Sequence, residues 1–249
     1  MRVLLFCLSL ITVAWAMSVD TQEDCISKNA YLGMVVKIEG KAKVLAKDSI
    51  KKHNVAAGEE FYAGDRIITY IRSKVTIKLP DGSNIILNEA SELLFVSPDK
   101  LRQDAGEVYY KIKKREAAKG LKVETSFSII GVKGTEFIVD LGDQGEIALN
   151  EGVIGIESLH DEFELHKQKV MQEYEKYKQE QMNGFEAYKA KAEDEIVSYV
   201  KVFDLEPGRM LRFSKAEHCE KECSSHVSEK GLSSDIKERF ETYKAMLSE

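Results

Sequence analysis

Tryptophan occurs once, as Trp15, proline three times and cysteine four times in 249 residues, and each shortage narrows what the chain can do. With no indole after position 15, a tryptophan platform for stacking sugars is excluded from the body of the chain. Beyond Val13 no segment approaches the ~20 consecutive apolar residues of a membrane helix, so no integral membrane span is expected. Catalytic signatures are missing as well: there is no G-x-S-x-G elbow, no phosphate-cradling G-x4-G-K-[ST] and no H-E-x-x-H. Carboxylates are abundant but dispersed, and His160 with Glu164 reads as a solvated contact, not a ligand pair. An enzyme is the least supported class, and neither a cofactor nor a metal is expected. A formal charge of -6, from 36 basic against 42 acidic side chains, offers no general attraction to nucleic acid or anionic membrane. One basic patch runs against that balance, comprising Lys111, Lys113, Lys114, Arg115, Lys119 and Lys122. Because Gly120 interrupts it between two strand-like runs, it reads as a solvated hairpin tip, with an anion-binding patch as the alternative.

The amino terminus points to export. Arg2, an apolar run from Val3 to Val13 and then Ala14-Trp15-Ala16 have the order of a cleaved secretory signal, with cleavage after Ala16 and a periplasmic destination. Cys25 follows Gln22-Glu23-Asp24 instead of small apolar residues, so no lipid anchor is expected there.

Thirteen of the sixteen glycines precede residue 160, where they punctuate short runs with β character. From Lys74 to Leu79, Val75, Ile77 and Leu79 share one face and Lys74, Thr76 and Lys78 the other. Pro80-Asp81-Gly82-Ser83 supplies a turn before Ile85 to Leu87. Similar runs at Leu32–Ile38, Leu93–Val96, Val108–Ile112 and Val153–Ile156 predict a mainly β domain of short strands, either sandwiched or in a compact rolled or solenoid-like form. Val123 to Val139, reading VETSFSIIGVKGTEFIV, is strand material interrupted by Gly131 and Gly134, which predicts a strand bent at a defined point.

This last stretch resembles the signature of the FecR-type domain, the periplasmic module of the iron-dicitrate transport regulator, at Val123, Thr125, Val132, Gly134, Thr135, Phe137 and Val139. Three upstream segments resemble the same family in the same order: Gly64-Asp65 running to Thr69, Asp81-Gly82-Ser83, and Gly106-Glu107-Val108. Leu205-Glu206-Pro207-Gly208 resembles its closing turn. The resemblance covers about residues 55 to 156 and resumes near 201 to 213. It implies a β module of the cell envelope, and because the family's periplasmic domain contacts an outer-membrane receptor, it implies protein binding. The family's signalling members add a cytoplasmic segment and a membrane helix. Here only about forty residues precede the domain and the first sixteen read as removed, so the sigma-regulating role is not carried over.

From residue 157 the pattern changes. Ser158 with Asp161 fits a capping box, and no glycine or proline follows until Gly184. Phe163, Tyr174, Phe185 and Ile196 fall eleven residues apart, as do His166, Tyr177, Tyr188 and Tyr199. Eleven residues in three turns keep such rows on one helix face, which predicts a helical insertion over 158–199 with an aromatic stripe. The stripe, with Phe163, Tyr174, Tyr177, Phe185, Tyr188 and Tyr199, reads as core cover or as a surface for a partner or a second copy. Asn183-Gly184 leaves open a turn into two antiparallel helices.

Val200–Phe203 and Met210–Phe213 then predict final strands. Ile236, Phe240, Tyr243 and Leu247 share a helix face that Ser233 or Ser234 can cap. His218-Cys219-x3-Cys223-x2-His226 is the one segment with metal-like composition. In an oxidising compartment a disulfide among Cys219, Cys223 and Cys25 is the leading reading, ahead of unpaired thiols or a metal. The expected organisation is thus a signal at 1–16, a lead-in at 17–30, the β domain at 31–157, the helical insertion at 158–199, final strands at 200–214, and a cysteine loop with a helix at 215–249. Taken together, these residues predict a non-enzymatic exported module that binds an envelope protein. Self-assembly through the helix and sensing of a small ligand or glycan remain the alternatives.

Overall fold

The computed structural model describes residues 31–114, 120–142, 145–159, 162–168, 195–214 and 226–248. Residues 31–249 form one compact unit. In chain order its strands are β1 (Gly33–Glu39), β2 (Ala42–Leu45), β3 (His53–Asn54), β4 (Glu60–Phe61), β5 (Arg66–Thr69), β6 (Lys74–Lys78), β7 (Asn84–Leu87), β8 (Glu92–Ser97), β9 (Lys100–Ala105) and β10 (Glu107–Lys111). There follow β11 (Leu121–Glu124), β12 (Ser128–Val132), β13 (Glu136–Asp140), β14 (Gly145–Glu151), β15 (Ile154–Ser158), β16 (Phe163–Gln168), β17 (Glu195–Val200), β18 (Val202–Leu205), β19 (Arg209–Ser214) and β20 (His226–Gly231). A single helix among the described residues, α1 (Ser234–Ser248), ends the chain.

The strands make two sheets. The larger has the order β17-β16-β20-β19-β14-β13-β10-β7-β6-β1-β4 and the smaller β18-β15-β12-β11-β9-β8-β5-β2-β3. Pairing is antiparallel except for β9 with β11 and β16 with β20. One apolar cluster fills the space between the sheets, with Phe61, Tyr110 and Phe137 from the larger and Phe95, Val123 and Ile156 from the smaller. The buried amide of Gln103 spans the two: Nε2 donates to the carbonyls of Gly106 at 2.8 Å and Val139 at 3.0 Å, and Oε1 accepts from the Tyr110 hydroxyl at 2.9 Å. Of the closures the sequence allows, this is a sandwich in which the chain passes repeatedly from sheet to sheet.

Those passages explain the glycines. Apart from Gly82, every residue with positive φ among those described sits where the chain leaves one sheet for the other: Gly40, Gly58, Gly64, Arg72, Ala90, Gly106, Gly134, Gly152 and Gly208. Successive corners also lie against each other. A Cβ on Gly152 would stand 2.6 Å from the Gly134 carbonyl oxygen, and one on Gly134 2.7 Å from the Lys114 Cα. Buried side chains supply the hydrogen bonds that such corners lack. Asp65 accepts from the amides of Tyr62 at 2.8 Å and Lys47 at 3.1 Å, while Thr69 Oγ1 donates to the Asn88 carbonyl at 2.6 Å.

The middle of the larger sheet is buried on both faces. In β10, Val108 and Tyr110 face the smaller sheet while Tyr109 joins a second cluster with Ile86, Ile138, Ala148 and Met210 beneath Ile236, Phe240 and Tyr243 of α1. Ser233 caps the helix, its Oγ accepting from the Ile236 amide at 3.3 Å. The Tyr109 and Tyr243 rings stack at 5.0 Å. Around them, Glu107 accepts from the Tyr243 hydroxyl and pairs with Arg239, which also reaches Asp140 at 3.3 Å. Burial pushes the Asp140 carboxyl up and the Arg239 guanidinium down, and it pushes the Tyr243 phenol up to about 12.

Several expectations need correction. Val123–Val139 is not one bent strand: it is β11, β12 and β13 with a turn at Thr125 and a sheet crossing at Gly134. The two runs that flank the basic patch do not form a hairpin, because β10 pairs with β7 and β13 in the larger sheet whereas β11 pairs with β9 and β12 in the smaller; Arg115 and Lys119 lie outside the described residues. The helical insertion fails at both described ends. Ser158 closes β15 instead of capping a helix, and Phe163–Gln168 and Glu195–Val200 pair as antiparallel strands. Tyr174, Tyr177, Phe185 and Tyr188 lie outside the described residues, as do 1–30 and the cysteines. The segment expected as a cysteine loop contains β20, which inserts between β16 and β19.

Two outcomes test this packing. Gly208 has open space around its Cβ position, so Gly208→Ala is expected to cost about 1 kcal/mol, the penalty for a side chain at positive φ. Gly152→Ala should cost well above that, because it adds a collision with backbone; equal losses in urea melts would contradict the nested corners. Tyr243 retains its proton more tightly when folded, so its contribution to stability is full below about pH 10, its unfolded value, and is lost as pH rises toward 12. Melting followed by circular dichroism should therefore show a steep fall between pH 10 and 12 that Tyr243→Phe makes shallower.

Candidate functional site

The sequence-marked family positions are architectural. Gly64, Asp65, Thr69 and Gly106 serve sheet crossings, and Gly134 with Thr135 forms the corner before β13. Val132 and Phe137 are core. At the β6–β7 turn, Asp81 Oδ1 accepts from the Ser83 amide at 2.8 Å, Gly82 takes φ +78°, and buried Ser83 receives the Lys113 amide at 3.0 Å. These residues hold the sandwich together and do not converge on one site.

The chemistry-bearing surface lies instead at one end of the sandwich, where each sheet ends, among the described residues, in a strand with a single neighbour. β17 bonds only to β16, and β18 only to β15, among the described residues. Beneath this end, Phe163 of β16 meets Phe203 at 5.9 Å and Phe213 at 5.7 Å, both edge to face, and Phe213 packs on Phe127 at 4.1 Å. Phe163, read from sequence as a partner-facing residue, is wholly buried. Tyr199 is 63% exposed, in keeping with a contact role, and Val202 is 60% exposed. Both flank Lys201 at the crossing from β17 to β18, where the Ser158 amide donates to the Lys201 carbonyl at 2.9 Å and exposed Leu159 follows. The result is an apolar rim beside an unpaired strand edge, the geometry that a further strand can extend.

A second group stands on the outward face of the same end. Phe163, Leu165 and Val227 enter the core, so strand alternation puts Glu164, His166 and His226 on the opposite face. Parallel pairing sets Glu164 opposite His226. His166 Nε2 lies 3.2 Å from Glu164 Oε1, and the two imidazoles are 4.0 Å apart at 47°. Sequence spacing had grouped His226 with Cys219 and Cys223. The local signal for the observed grouping was Glu164-x-His166, two ligand types on one strand face, but its third member comes from a strand remote in sequence.

The marked residues of this β sandwich are structural and define its class by architecture alone. Residues 65–155 match the family described as FecR protein, so the chain carries a FecR domain over β5 to β15. The match leaves out β1 to β4, β16 to β20 and α1. No curated protein matches the chain. Two crystal structures, at 1.65 and 2.50 Å resolution, of a candidate anti-sigma factor from Parabacteroides distasonis are similar at 14% identity and a TM-score of 0.43, covering 68% of this chain. The chain spans 61% of the length of that protein. Among the described residues no helix is long and apolar enough to cross a membrane.

Because Tyr199 and Val202 are exposed, Tyr199→Ser and Val202→Lys should each change stability by no more than about 0.5 kcal/mol. Phe163→Ala should cost about 3–5 kcal/mol. Thermal melts of the three variants check the division between rim and core.

Proposed function

We propose that this chain is an exported, non-enzymatic FecR-domain protein that acts as a signalling or accessory module by binding another protein in the cell envelope. One observation carries the reading: among the described residues β18 has a neighbour on one side only, and the exposed apolar side chains of Leu159, Tyr199 and Val202 stand near the start of that strand. A partner strand added to β18 would gain main-chain hydrogen bonds from the edge and specificity from this rim. The FecR match supports a regulatory module, and the order of Arg2, Val3–Val13 and Ala14-Trp15-Ala16 supports export. The anti-sigma description belongs to the similar solved protein; the proposal for this chain is protein binding on the periplasmic side.

The test is crosslinking in living cells of the tagged full-length chain beside a Val202→Pro variant, since proline removes the amide and disturbs the edge. An envelope protein captured by the parent chain and lost in the variant is the expected result. Capture of further copies of the same chain would replace the reading with self-assembly, and no capture by a folded, exported protein would overturn both.

A further inference from the structure

We propose that Glu164, His166 and His226 form a binding site for a divalent transition-metal ion of the zinc class. The ligating atoms of the three side chains all lie within 4.8 Å of one another. A tetrahedral ion with bonds of about 2.0–2.2 Å holds its donors roughly 3.4 Å apart, and His166 Nε2 already stands 3.2 Å from Glu164 Oε1. The donors are two imidazoles and one carboxylate, a set suited to zinc, copper or nickel and not to calcium or magnesium, which take oxygen ligands. One negative charge offsets half of the ion's charge. The three groups are partly buried.

The backbone brings the ligands together before any ion arrives. Glu164 and His166 alternate with Phe163 and Leu165, and His226 precedes Val227; all three apolar neighbours are locked in the core. β16 and β20 are then fixed side by side in parallel register. Rigid flanking strands are what a metal site needs for its ligands to stay aimed. An ion here would clamp β16 to β20 and so fasten the β16–β17 pair to the body of the sandwich, whichever protein meets the β18 edge.

Zinc titration of the metal-free full chain against a chromophoric chelator at neutral pH tests the site. One equivalent should bind, and His166→Gln and His226→Gln should each weaken it by about a hundredfold. Replacement of Cys219 and Cys223 by serine should leave the affinity unchanged. Cobalt loaded into the unaltered chain should give a tetrahedral visible spectrum without a thiolate charge-transfer band, a reading that holds even where a histidine variant does not fold. Absence of stoichiometric binding, a thiolate band, or loss of binding only in the cysteine variant would overturn the assignment.

Discussion

Backbone contact between neighbouring sheet crossings is the constraint on which the rest of this structure depends. The chain does not build one sheet and then the other. It switches repeatedly, and the corners stack, so that Gly40 lies against the Arg72 carbonyl, Gly106 against the Ala90 carbonyl and Gly152 against the Gly134 carbonyl. Such spacing leaves no room for a Cβ and asks for positive φ, which only glycine adopts without strain. The buried hydroxyls and carboxylates at the corners follow from the same geometry, because backbone groups turning away from both ladders still need partners.

With the corners holding the two sheets in register, the larger sheet is left with a second apolar face, and α1 covers it. Tyr109, Phe240 and Tyr243 give that layer its aromatic contacts, while Glu107, Asp140 and Arg239 place charge under the helix. The apolar cluster beneath α1 draws on β7, β10, β13, β14 and β19 and does not include β16 or β17. Among the described residues, α1 therefore packs on the middle of the larger sheet and not on the end that carries the histidine pair.

Much of this architecture was legible because it is written in short-range patterns. The alternation from Lys74 to Leu79 became β6, Pro80-Asp81-Gly82-Ser83 became its turn, and Ile236, Phe240 and Tyr243 became the buried stripe of α1. Runs such as Ile85-Ile86-Leu87 and Val108-Tyr109-Tyr110, apolar at every position, carried the signal of burial on both faces. The failures came where two periods compete. Phe163, His166, Ile196 and Tyr199 satisfy an eleven-residue helical spacing, yet Phe163-Glu164-Leu165-His166 also alternates as a strand, and pairing with β17 and β20 decided between them. His226 could not be joined to His166 from sequence, since parallel pairing between distant segments leaves no local trace.

The pairing of β16 with β17 has one more consequence. Gln168 and Glu195 face each other on the last rung of that ladder, so the two ends of the intervening sequence are held about 5 Å apart. A segment joined at two such neighbouring points can change length while its two anchor residues keep their places. Evolution and protein engineers meet the same opportunity there: a socket in a finished scaffold, where new sequence is added at little cost to the fold.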